Sequence, residues 1–171
     1  MNVLWKNNGK KKFILEKLSG NFGDHGLFKG YGTIDDTIRA KLFFDNVNIY
    51  DIKKYNPGWK VAGILNGNVE YTASLFQVNN AQIVGNIKVT DVVLEDFNLE
   101  KEVLKVLTPV SPLFSTVKVV DNNTLIDSLV CDFQISKNRE LEIGKLSFQG
   151  IKLNGSGMGV VDLSKLHGIL Q

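Results

Sequence analysis

The 171-residue chain carries 20 basic and 18 acidic residues, so its formal charge is only +2. It lacks the cationic excess of proteins that neutralise nucleic-acid phosphates, and with 43% apolar residues it also lacks the composition of a disordered chain. A single cysteine, Cys131, excludes an internal disulfide, and two distant histidines, His25 and His167, exclude a Cys/His zinc cluster. The sequence predicts one domain over residues 1–171, with no cofactor, no metal and no nucleic-acid partner.

Apolar and polar residues alternate along most of the chain, which is the period of a half-buried β-strand. The alternation is longest over residues 60–75 and recurs in four other runs, at 28–34, 38–44, 83–89 and 129–135. Turn-forming residues separate the runs near 20–26, 55–58, 77–80, 121–124 and 136–139. Neighbouring strands should therefore form hairpins in a mostly antiparallel sheet. Slips of the apolar phase near Asp91 and near Gly144 predict β-bulges, which bend a sheet.

One segment has helical spacing instead. In residues 98–107 the apolar positions include Leu99 and Val103, Asn98 is placed as an N-cap, and Pro109 follows as a stop. We expect this amphipathic helix to pack on the dry face of the sheet, and a second, shorter helical turn at 49–55. The predicted fold class is mainly β: a curved, mostly antiparallel sheet, forming an open groove or half-barrel, with one amphipathic α-helix.

Glycines occupy the apolar phase of several strands, where each weakens a strand by about 0.5–1 kcal/mol relative to alanine. One interpretation is that another element packs closely against them, or that the sheet coils sharply there. The other is that the missing side chains leave an open apolar trough for a hydrocarbon chain. The residues that would line this trough are Val61, Gly63, Leu65, Gly67, Val69, Phe133, Ile151, Leu153, Gly155, Gly157, Gly159 and Val161.

No catalytic motif is recognisable. The glycine clusters at 30–32 and 155–159 precede segments that read as strand, whereas a dinucleotide fingerprint opens a helix. A β-rich carbohydrate hydrolase would need two convergent carboxylates, and the sequence nominates no pair. We expect a protein that is not an enzyme. No run of about 18 apolar residues is present, and residues 1–12 lack an apolar core, so we expect neither a transmembrane helix nor a signal peptide in this chain.

Residues 85–170 resemble the AsmA-like C-terminal family of bacterial envelope proteins. The resemblance lies in a strand at 85–89, a leucine-rich helix at 102–107, the "L..DF.I" strand at 129–135, a short hairpin at 141–150 and a closing glycine-rich strand at 155–163. Residues 26–51 resemble, more loosely, a repeat of the same module.

The resemblance implies a β-groove domain from a longer repetitive protein, anchored in the inner membrane and extending through the periplasm. It implies transport of phospholipid to the outer membrane, or biogenesis of that membrane, with acyl chains in the groove and membrane or envelope proteins as further partners. The alternative is a structural or assembly module with a filled core, which pairs with a partner through its strand edges.

Overall fold

A computed structural model describes residues 2–7, 11–53, 58, 60–109, 122–150 and 154–163. The strands are β1 Asn2–Asn7, β2 Lys11–Phe22, β3 Gly26–Ile34, β4 Thr37–Asn48, β5 Val61–Ser74, β6 Gln77–Leu94, β7 Thr124–Ile135, β8 Glu140–Gln149 and β9 Asn154–Asp162. The helices are α1 Ile49–Lys53, between β4 and β5, and α2 Leu99–Leu107, between β6 and β7.

The nine strands form one antiparallel sheet whose spatial order is the order of the chain, β1 to β9. Each strand pairs with its neighbours in sequence, so β1 and β9 form the two edges of the sheet. The expectation of a mainly β fold with an antiparallel sheet and one helix of more than two turns is confirmed. Within the described residues, no helix is long and apolar enough to cross a membrane.

The two predicted bulges are present. Asp91 has a positive φ of 52°, and the β5–β6 register shifts opposite it, between Ala62 and Ile64. Gly144 lies in the register shift between β7 and β8, where Asp132 pairs with Lys145 but Phe133 pairs with Ile143. At both places the shift returns the next apolar side chain to the same face of the sheet.

The turn predicted at 77–80 is wrong. The turn is formed by Leu75 and Phe76, and Gln77 already pairs with Ser74. Gln77 and Asn80 are polar and exposed. Exposed polar residues fit the surface of a strand as well as they fit a turn, so their presence alone did not locate the turn. Of the turn predicted at 55–58, only residue 58 is described. His167 lies outside the described residues.

Helix α2 begins as predicted, with Asn98 as its N-cap. The Asn98 side chain accepts a hydrogen bond of 2.7 Å from the Lys101 N–H, which satisfies one of the free donors of the first turn. The Thr124 hydroxyl accepts another from the Leu99 N–H, at 2.7 Å, and donates to the Phe97 carbonyl. These two hydrogen bonds join the start of α2 to the start of β7.

The short helix α1, rather than α2, covers part of the sheet in the described residues. Ile49 of α1 is 6% exposed and belongs to a buried cluster with Val89, Val92 and Ile126. The expected packing of α2 on the dry face is not seen in this part of the chain: its Leu99 and Val103 are half-buried, and the apolar residues after Pro109 lie outside the described residues.

Little of the described part of the chain is deeply buried. Six hydrophobic residues there reach that state: Val47, Ile49, Ala73, Val89, Val92 and Ile126. Such sparse burial is what a sheet with only partial cover on its apolar face produces.

Candidate functional site

The strand register sorts the side chains of the sheet into two chemically different faces, because residues paired across antiparallel strands share a face. On one face, four rows of side chains cross the sheet from β2 or β4 to β9. The rows are Leu15, Gly32, Ala40, Tyr71, Ile83, Ile135, Leu141 and Val161; Leu18, Gly30, Leu42, Val69, Gly85, Phe133, Ile143 and Gly159; Gly20, Phe28, Phe44, Gly67, Ile87, Cys131, Leu146 and Gly157; and Val47, Leu65, Val89, Leu129, Phe148 and Gly155. We call these four rows the apolar face. They contain no charged residue.

The register brings the predicted trough residues of three distant segments together on this face. Val69 and Phe133 lie in the same row as Gly159, and Gly67 lies in the same row as Gly157. Val61 and Gly63 continue along β5 beyond the last row, where Val61 packs against the buried cluster. Ile151 and Leu153 lie outside the described residues.

The trough residues predicted from the sequence include none from β2, β3 or β4. Leu18, Phe28, Leu42 and Phe44 extend the apolar face by three strands. The period of two was visible in β3 and β4, but nothing local to those strands indicates that they adjoin β5. Only the pairing of β4 with β5, through Leu42 and Val69 for example, places them on the same surface.

Three glycines of the apolar face are covered by phenylalanine rings from the neighbouring strand. Gly20 pairs with Phe28, Gly85 with Phe133, and Gly155 with Phe148. In each pair, a Cβ atom on the glycine would lie closer than 3.0 Å to the nearest ring carbons, so the ring occupies the space that a side chain would need. These three pairs fit the interpretation in which glycine allows close packing.

Glycine is present at positions 63 and 67 for a different reason. The φ angles of Gly63 and Gly67 are +144° and +152°, a region that residues with a Cβ rarely adopt, and a Cβ on Gly63 would lie 2.8 Å from the Thr90 carbonyl oxygen. A Cβ on Gly67 would likewise collide with the backbone of Asn86. The two glycines are required by the backbone of β5 beside its partner strand β6.

Gly157 and Gly159 fit the trough interpretation better. A Cβ on either residue would meet no atom of the described residues within 4 Å, and neither glycine has a positive φ. The apolar face is therefore open at β9, where its two middle rows end in glycine.

Exposure of the apolar face changes along the strands. At one end α1 covers it, and Val89 and Val92 are at most 6% exposed. At the other end Phe13 and Ile34, one row beyond the four, are 44% and 40% exposed, whereas Ala73 in that same row is 1% exposed. The face is thus closed at the α1 end and partly open to solvent at the opposite end.

Cys131 lies within the third row of the apolar face, between Ile87 and Leu146. Burial, reinforced by the neighbouring carboxylate of Asp132, raises the pKa of its thiol. The thiol therefore stays protonated at neutral pH and behaves as a small apolar side chain rather than as a nucleophile.

The opposite face is polar and carries charged residues. It holds an open depression of about 400 Å³, lined by apolar surface together with polar side chains that include Glu70, Asp132 and Glu142. Glu70 forms an ion pair with Lys41, and Asp132 accepts a hydrogen bond from the Asn86 amide. No group of His, Cys, Asp or Glu side chains in the described ranges is arranged to hold a metal ion.

Comparison of the chain with models of known families, with curated proteins and with solved structures finds no match.

Proposed function

We propose that this chain is a non-enzymatic lipid-binding module of the bacterial envelope. Its apolar face would shield phospholipid acyl chains during their transport to the outer membrane or during the biogenesis of that membrane. The supporting observation is that the four adjacent rows of the apolar face contain no charged residue. In the described part of the chain, α1 covers this face at one end.

The size of the apolar face supports a ligand of this class. Strands lie about 4.8 Å apart and alternate residues about 6.8 Å apart, so the three rows that α1 does not cover span roughly 34 Å by 14 Å, or about 460 Å². The largest apolar patch on an ordinary monomer measures about 300–600 Å² and often has a function, such as binding a partner, a membrane or an apolar ligand.

Binding on such a surface would rest on buried area alone. Each CH₂ group transferred from water contributes about 0.8 kcal/mol. The polar groups within the four rows are the Tyr71 hydroxyl and the Cys131 thiol. We therefore expect little selectivity among phospholipid head groups, which would remain in solvent while the acyl chains lie on the sheet.

The cellular setting in this proposal rests on the resemblance to AsmA-like proteins. In that setting the chain is one β-groove segment of a longer protein, anchored in the inner membrane and located in the periplasm. The meander of long antiparallel strands and its uncharged face are compatible with such a segment.

The test places a charge on the open part of the apolar face. Gly157→Asp and Gly159→Asp add a carboxylate where a Cβ meets no neighbour. Met158→Asp and Val160→Asp are the matched controls, because these residues are 83% and 66% exposed on the polar face of the same strand. Native mass spectrometry of the chain purified from bacterial membranes should detect bound phospholipid in the wild type and the controls.

The apolar-face variants should lose bound phospholipid while circular dichroism still reports the sheet. A wild-type chain that purifies without lipid, and that gains none from phosphatidylethanolamine or phosphatidylglycerol vesicles, would contradict the proposal. So would equal lipid occupancy in both sets of variants.

The second candidate is a structural or assembly module, and the phenylalanine rings over Gly20, Gly85 and Gly155 favour it. In this case the apolar face is filled by the side chains of the protein itself, and the strand edges carry the interactions. Absence of lipid in the experiment above, together with association through an edge strand, would select this candidate.

A further inference from the structure

The outer edge of β9 pairs with no described strand, although β9 is nine residues long. Natural edge strands are usually protected by charges, prolines or bulges. Residues 154–161 contain no charged residue and no proline, and Met158 and Val160 are exposed.

Two hydrogen bonds fix the direction in which the β9 backbone points. The Leu163 N–H donates to the Arg139 carbonyl at 2.9 Å, which directs the odd-numbered residues of β9 toward β8. The Ser136 N–H donates to the Glu140 carbonyl at 2.9 Å, which directs the even-numbered residues of 140–143 toward β7 and the odd-numbered ones toward β9. The bulge beyond Ile143 adds its extra residue to β8, so β9 keeps one alternation along its whole length. The even-numbered residues of β9 therefore direct their N–H and C=O groups away from the sheet.

The topology determines which strand fits this edge best. In a nine-stranded antiparallel meander β1 and β9 run in the same direction, so joining β9 to β1 of another copy without rotation would require a parallel pair. Two β9 strands related by a two-fold axis perpendicular to the sheet pair antiparallel, which is the more stable arrangement and closes as a dimer. This rotation keeps both apolar faces on the same side.

We propose that the chain self-associates through antiparallel pairing of β9 with β9 of a second copy, centred on Met158. In this register Ser156 lies opposite Val160 of the second copy, and Gly157 lies opposite its Gly159. Residues 155–161 of each strand take part, and the outward groups of Ser156, Met158 and Val160 form about six backbone hydrogen bonds. The two sheets become one, and their apolar faces become continuous. The inference does not rest on lipid binding.

Cysteine crosslinking tests this register in a Cys131→Ser background. Met158→Cys places two thiols in a directly opposed pair, where the Cα atoms are about 5.5 Å apart and a disulfide can form. Val84→Cys is the control, since Val84 is 42% exposed but lies in an interior strand. Under mild oxidation Met158→Cys should form a covalent dimer much faster than Val84→Cys.

A mixture of Ser156→Cys and Val160→Cys chains tests the register of the two β9 strands without altering the central Met158 pair. The mixture should form the mixed disulfide faster than either variant forms a disulfide with itself. Equal rates for the mixture and the single variants, or for Met158→Cys and Val84→Cys, would overturn the proposal.

Sedimentation equilibrium of the full chain provides a test without crosslinking. Met158→Pro removes an outward N–H on each copy but none of the bonds to β8, so it should weaken the dimer by about 30-fold. Met158→Ala retains both N–H groups and should weaken it far less. A wild-type chain that stays monomeric up to millimolar concentration would also overturn the proposal.

Discussion

At the scale of single residues, the glycines of the apolar face divide according to what surrounds them. Gly85 lies under the Phe133 ring of the adjacent strand, whereas Gly157 faces open space. The sequence shows both only as a glycine in an apolar phase. The distinction depends on which side chain lies opposite, and this is fixed by strand register rather than by local sequence.

Replacing these two glycines by alanine should change stability in opposite directions. Gly85→Ala forces the Phe133 ring out of its place and should cost about 1–3 kcal/mol, as overpacking does. Gly157→Ala meets no atom and should stabilise the strand by about 0.5–1 kcal/mol. Urea unfolding at matched protein concentration measures both. Destabilisation of similar size in the two variants would contradict the assignment of open space at Gly157.

Asp35, in the turn between β3 and β4, should stabilise the folded state at neutral pH and lose this effect in acid. The Thr37 N–H donates to its Oδ1 at 2.8 Å, and this bond, supported by the charge of Arg39, lowers the pKa of Asp35 below its ordinary value of 3.8. Because the carboxylate is favoured in the folded state, its stabilising effect is present above pH 3.8. The effect is lost as the pH falls through the lowered pKa.

An NMR titration of the Asp35 carboxyl carbon should give a midpoint below 3.8. Arg39→Ala should move that midpoint only part of the way back, because the backbone hydrogen bond is the largest cause of the shift. A midpoint at or above 3.8 would show that the Thr37 hydrogen bond does not form in solution.

At the scale of elements, the short helix α1 matters more to the sheet than its five residues suggest. Ile49 is the residue through which α1 joins the cluster of Val89, Val92 and Ile126. Ile49→Ala should therefore cost about 2–5 kcal/mol. Tyr50→Ala, next to it but 57% exposed, should change stability by less than about 0.5 kcal/mol. Thermal unfolding of the two variants compares them directly.

The N-cap of α2 gives a prediction confined to one element. Asn98→Ala removes the acceptor of the Lys101 N–H and should cost about 1 kcal/mol, whereas Asn98→Ser retains a capping oxygen. Hydrogen exchange at the amides of α2 should accelerate in the alanine variant, and exchange in β6 should not change. Acceleration spread equally over the sheet would indicate that α2 is more strongly coupled to it than Thr124 alone implies.

Much of the element structure followed from local sequence. The strand period, both bulges, the Asn98 cap and the helical turn at Ile49 are all encoded within a few residues, and all are present. The expectation that α2 covers the sheet used the same kind of signal and stays a prediction, because the side chains of Val106 and Leu107 and the apolar residues after Pro109 lie outside the described part of the chain. An amphipathic stripe identifies an apolar helix face but not what that face packs against, which depends on loop path and on competing elements such as α1.

At the scale of the whole molecule, the sparse burial of the sheet predicts the response to denaturant. Within the described residues six hydrophobic side chains are deeply buried, and one end of the apolar face is partly exposed. Because the urea m-value scales with the area exposed on unfolding, it should be lower than that of compact proteins of equal length. The measurement is made on dilute protein, where self-association is negligible. An m-value typical of a compact domain would show that the apolar face is covered in solution.

The order of the sheet has one further consequence. Every strand of the described sheet pairs only with the strands before and after it in sequence. Duplication or loss of one hairpin would change the width of the sheet by two strands and leave every other strand pair with its partner. Gain or loss of a hairpin in the gene can therefore widen or narrow the sheet in steps of about 10 Å while the topology stays the same.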